Sequence, residues 1–140
     1  MTLTPEQKFV SKVISVLCAD ATIAGYVKGR VYASHISSIQ DPDFPCISIF
    51  ILGATPKFET PDSIKISIQI DAWMKLTKHT QDDIAIMTKQ IRSVLHRANL
   101  SDKTLSLIVG QCIVTSAGQY MYEEDTDLMH FPSIINAEVL

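Results

Sequence analysis

Two carboxylates one residue apart, Asp41 and Asp43, precede Cys46 in the stretch DPDFPCISIF. Paired oxygens of this kind could hold a hard cation such as Mg²⁺ or Ca²⁺, and a cysteine beside a base could act as a nucleophile. The neighbouring residues argue for something plainer. A hard-cation site draws on more oxygens at defined spacing than this stretch supplies. Asp and Pro favour turns, Pro45 biases Phe44 toward an extended backbone, and a run of isoleucines follows. The stretch reads as a turn that feeds a strand, with Cys46 as inert core and no chemistry at Asp41 or Asp43.

The acidic run Glu123, Glu124, Asp125 and Asp127 lacks the glycine and alternating ligands of an EF-hand loop and is expected to be a solvated loop. His35, His79, His96 and His130 form no HxH or HExxH pattern, and neither a GxSxG elbow nor a phosphate loop occurs. No catalytic residue, metal ligand or cofactor is expected. Cys18, Cys46 and Cys112 are odd in number and widely spaced, which predicts neither a zinc site nor a disulfide framework. Each is expected to be a small buried hydrophobe. The net charge of −3 argues against binding that rests on phosphate neutralisation. The stretch MTLTPEQKF has neither the basic nor the apolar region of a signal peptide, and the apolar runs are too short to span a membrane. A cytosolic, reducing compartment is expected.

The elements that must carry these residues follow from period and capping. Residues 1–140 are the usual size of one domain. Thr4, Pro5 and Gln7 form a capping-box pattern before Phe9, Val10, Val13, Ile14 and Leu17, which recur at helical spacing. Asp20 starts a second short helical segment that Gly25 and Gly29 weaken and end. RVYASHI suits a short strand. CISIFIL alternates around Ile47, Ile49 and Ile51. SIKISIQIDAW is stricter, with Ile64, Ile66, Ile68, Ile70 and Ala72 on one side and Lys65, Ser67, Gln69 and Asp71 on the other. Thr80 caps a helix with Asp82 and Asp83 in its first turn, a stripe of Ile84, Met87, Ile91, Val94 and Leu95, and Asn99 at its end. TLSLIV, CIVTS, QYMYE and FPSIINAEVL are β-segments. Strands and helices do not alternate one by one, so the expected fold is α+β: an antiparallel β-sheet with two main α-helices packed on one face.

Two features stand outside this core. Alternation puts Trp73 on the polar side of its strand, so either a bulge turns it back into the core or it marks a contact with another chain. The connection GATPKFETPDS exceeds what a hairpin needs, and it carries Phe58 between Lys57 and Glu59. It is expected to project as a contact arm from Ala54 to Asp62.

The order of the first helix, ADATIAGYVKGRVYAS, DFPCISI, SIQIDAWMK, a capped helix and late β-segments resembles the tail completion or tail terminator (tail-to-head joining) proteins of long-tailed bacteriophages. The resemblance spans nearly the whole chain and is strongest from Gly29 to Trp73. It implies an α+β virion protein that is not an enzyme. It also implies a homo-oligomeric ring, commonly a hexamer, that caps the tail tube, stops its polymerisation and docks to a head-side neck or connector protein. DNA would pass through such a ring without sequence-specific recognition, and no membrane is involved. The implied location is the head-proximal end of the virion tail, after assembly in the host cytoplasm. With a ring in view, Lys57, Phe58, Glu59, Trp73, Glu123, Glu124 and Asp125 are the candidate contact residues. A head-completion or stopper protein is the competing reading. A small metal-dependent hydrolase using Asp41, Asp43 and the acidic run is a distant third.

Overall fold

The structure is a computed structural model that describes residues 3–34, 39, 43–56, 63–117 and 120–140. Lys57, Phe58, Glu59 and Asp41 lie outside the described residues. The elements run α1 (Pro5–Ala19), α2 (Ala21–Val27), β1 (Val31–Tyr32), β2 (Cys46–Pro56), β3 (Ile64–Lys75), α3 (Gln81–Leu95), β4 (Val109–Ala117), β5 (Met121–Glu123) and β6 (Leu128–Val139). Among the described residues no single helix is long and apolar enough to cross a membrane.

Local chemistry starts and stops the helices. At α1 the Gln7 N–H donates to Thr4 Oγ1 (3.2 Å), and the Thr4 N–H donates to Gln7 Oε1 (2.9 Å). Thr80 and Asp83 make the same reciprocal pair at α3. Each exchange satisfies two amides that the first turn leaves without partners. Asp20 ends α1 and caps α2 by accepting from the Ile23 N–H (3.0 Å), while its other oxygen accepts from Gln90 Nε2 (2.8 Å) on α3. Gly25 lies inside α2 rather than ending it; the left-handed backbones of Lys28 (φ 49°) and Gly29 (φ 83°) do that.

Among the described residues the sheet has six strands in the order β1-β2-β3-β6-β4, with β5 beside β6. It is antiparallel except for the short parallel pair β1–β2. β3 and β6, each 12 residues long, pair without a register shift from Ile64↔Val139 to Lys75↔Leu128. β2 extends to Pro56, beyond the expected strand end at Leu52, because one bulge between Ile51 and Gly53 absorbs the irregularity. Residues 100–108 form turns around an Asp102↔Leu107 bridge rather than the expected strand.

Both long helices and α2 pack on one face of the sheet. Phe9, Val13, Leu17, Ile23, Ile84, Met87 and Ile91 meet Ile47, Ile49, Ile66, Ile68, Ile70 and Ile135 in one buried cluster. Each such side chain contributes roughly 1.5–3 kcal/mol of burial free energy. Cys18 is exposed, contrary to the expectation of burial, because it falls off the α1 stripe of Phe9, Val13 and Leu17.

Candidate assembly surfaces

Among the described residues no three His, Cys, Asp or Glu side chains converge as metal ligands. Burial pushes the Cys46 thiol up to about 12, against the opposing pull of the Arg30 guanidinium, and the Cys112 thiol up to about 11. Neither is a thiolate near neutral pH. Asp43, which the sequence pairs with Asp41, is exposed at the turn before β2. The features that remain to be explained are surfaces.

On the face away from the helices, Trp73 keeps the side that alternation predicts; β3 has no bulge against β6 to turn it. It is nevertheless 5% exposed, because Phe44, Tyr32 and Leu128 pack around it and Cys46. The Trp73 indole N–H donates to Ser48 Oγ at 3.0 Å. Its ring stacks on His130 with centroids 4.0 Å apart and planes 12° apart. A partner would therefore meet the residues over the indole rather than the ring itself.

The acidic run forms the end of β5 and the turn into β6. Asp127, in the left-handed region (φ 55°), accepts from the Thr77 N–H (2.9 Å) and from the Tyr122 hydroxyl (3.1 Å). Its carbonyl accepts from the Leu76 N–H (3.1 Å). These bonds dock the turn on the β3–α3 connection and leave Glu123, Glu124 and Asp125 exposed.

The two long edges of the sheet differ. On one side β4 is closed by the segment after α3. Arg97 (φ 59°) leaves the helix and donates its N–H to Cys112 O at 2.7 Å. The Val114 N–H donates to His96 Nδ1 at 3.1 Å. Ser101 Oγ accepts from the Val109 N–H (2.9 Å) and donates to the Val109 carbonyl (3.3 Å). Two bulges, at Val109/Cys112 and Val114/Ser116, disturb the strand further. Together these devices blunt an edge against pairing with another strand. A salt bridge from Lys12 to Asp102 (3.1 Å) ties this capping segment to α1. The roles of His96, Ser101 and Asp102 leave no sequence pattern, since His96 and Ser101 meet the β4 backbone, and Asp102 meets the Lys12 side chain, only after folding.

Elsewhere the edges are open in part among the described residues. Among the described residues β1 covers β2 at Ile47 and Ser48. From Ile51 to Pro56 β2 is exposed, and among the described residues nothing pairs with its outer side. β5 continues the line of β4 along β6, pairing Met121↔His130 to Glu123↔Leu128, and its outer side is likewise free among the described residues. The two free stretches occupy diagonally opposite corners of the sheet. Each carries large exposed apolar side chains: Ile51 (42%) and Leu52 (48%) at one corner, Met121 (51%) and Tyr122 (48%) at the other.

The fold is similar to that of a chain in a solved structure, the virion of a native gene transfer agent (GTA) particle. The TM-score is 0.67 at 14% sequence identity, over 91% of this chain and 90% of that one. No family model and no curated protein matches the sequence. At this identity the likeness establishes the fold.

Proposed function

We infer that this chain is a structural virion protein, a tail terminator that closes a ring on the end of a phage-type tail tube and joins the tail to the head. The observation that carries the reading is the near full-length likeness to a chain of a virion particle. It agrees with the order of helix, Gly-Arg-aromatic turn and long strands from Gly29 to Trp73, which resembles tail terminator proteins. A sheet with unlike free corners also suits a ring subunit, which needs two different surfaces for its two neighbours. The ring is six-fold in this reading, with the tail tube protein on one side and a head-side connector on the other. Lys57, Phe58 and Glu59 enter it as a contact arm on their sequence alone, and Glu123, Glu124 and Asp125 as an exposed acidic contact.

The test is assembly without the chain. Tails produced in its absence should be overlong and unattached to heads when imaged by electron microscopy, and added chain should restore joining. Tails of normal length that lack only the head connection would favour a stopper or head-completion protein instead. Normal, infectious particles would remove the reading altogether.

A further inference from the structure

We propose that copies of this chain join head to tail by pairing the free Ile51–Pro56 stretch of one β2 with β5 of the next. This contact rests on the ring reading above and names the surfaces that make the ring.

Three observations carry it. First, among the described residues the outer backbone of both stretches is unpaired and another strand can satisfy it, while β1 covers Ile47 and Ser48 on one side and His96, Arg97 and Ser101 close β4 on the other. Protection is applied to β4 and withheld from β5 on the same side of β6.

Second, the faces match. Ile51 lies opposite Ile68 and Tyr122 lies opposite Met129, and both partners belong to the helix-side core. Directly paired residues share a face, so Ile51 and Tyr122 lie on the helix face of their sheets. A sheet continued from one copy into the next keeps its helices on one side and brings Tyr122 to a groove between α1 and β2. That groove, about 430 Å³, is lined by Leu3, Gln7, Val10, Ile14 and Ile51 among others. It offers apolar surface to the ring of an amphipathic tyrosine.

Third, the charges permit the approach. β2 carries no charged residue from Cys46 to Pro56, so nothing on that strand repels Glu123, Glu124, Asp125 and Asp127 of the incoming hairpin. The Ile51/Gly53 bulge and Pro56 blunt this edge in part, but it carries no charge and exposes Ile51 and Leu52, a combination natural sheets avoid unless something covers it. Because the two edges differ, the contact is heterologous, and repetition by a closing rotation yields a ring.

The experiment uses the full chain with Cys18→Ser, Leu52→Cys and Met121→Cys, assembled on tails and treated with a short bismaleimide; Met121 is exposed on β5, and the Tyr122 anchor is kept. The expected result is a ladder of covalent multimers up to the ring size on a denaturing gel, with no ladder when either new cysteine is present alone. A companion variant, Leu52→Lys, should keep the thermal unfolding of the parent yet fail to incorporate into tails. Intact rings without a ladder, dimers from Leu52→Cys alone, or normal incorporation of Leu52→Lys would each overturn this contact and leave the ring standing. An unmodified chain that stays monomeric both free and on tails would remove the ring, and this contact with it.

Discussion

The Nδ1 atom of His96 accepts a hydrogen bond from the Val114 N–H at 3.1 Å and so closes the edge of β4 with a side chain from the end of a helix. An imidazole nitrogen can accept only while it carries no proton. The contact therefore requires the tautomer with hydrogen on Nε2. His96→Ala should cost about 1 kcal/mol, the usual net value of one such bond. Hydrogen exchange at the Val114 amide should accelerate markedly, with little change at β3 amides. Unchanged exchange at Val114 would mean that water or backbone replaces the imidazole without penalty.

Ser48 and Trp73 make the corresponding contact on the opposite side of the sheet. Ser48→Ala would leave the buried indole N–H without its acceptor, a loss of roughly 1–3 kcal/mol. Trp73 is the single tryptophan, so denaturant unfolding followed by its fluorescence reads this directly. Trp73→Phe should cost a similar amount through lost packing against His130 and an unpaired Ser48 hydroxyl. A neutral Ser48→Ala would show that the indole is wet in solution.

Thiol accessibility separates the cysteines. Cys18 is exposed, while Cys46 and Cys112 are buried with thiols pushed up to about 12 and about 11. In the folded chain a thiol-specific chromophore should label Cys18 rapidly, with Cys46 and Cys112 following only on denaturation. Rapid labelling of Cys46 in the native state would contradict the packing of Phe44 and Tyr32 over it.

The Lys12–Asp102 pair predicts a particular acid response. The hydrogen bond from Lys12 is the main cause that holds the Asp102 carboxyl below its ordinary value of 3.8, assisted by the Leu105 and Thr104 N–H groups. A depressed folded value means that the carboxylate's contribution is present above pH 3.8 and is lost as pH falls through the lower folded value. Asp102→Asn keeps an acceptor for Thr104 but removes the charge. Its Tm should lie slightly below the parent's near neutrality, and the gap should close below about pH 4. Both groups are partly exposed, so high salt should narrow the gap as well. A gap that persists at low pH would assign the loss to packing.

Much of this was legible in the residues. Thr80 with Asp83, and the strict isoleucine alternation of β3, specify their elements through local chemistry that tertiary context does not override. Alternation puts Trp73 on the side it occupies and leaves open whether a bulge or a partner buries it; the cover by Phe44, Tyr32 and Leu128 is not visible in sequence, because they come from other parts of the chain. The sequence suggests a shorter β2 because Gly53 and Pro56 look like breakers; a bulge, and an outer side that is unpaired among the described residues, accommodate both. The closed β4 edge was invisible for a related reason. It depends on Arg97 turning left-handed and on two bulges, and neither leaves a periodic trace.

Symmetry-resolved imaging of intact particles, with native mass measurement of the detached neck, is the sharpest test of the proposed closed ring on a tail. The expected result is one ring of identical copies at the head-proximal end of the tail, six-fold in symmetry. A monomer in free solution is compatible with this, since the tube can template closure. A single copy within the particle, or a location away from the junction of tail and head, would contradict it.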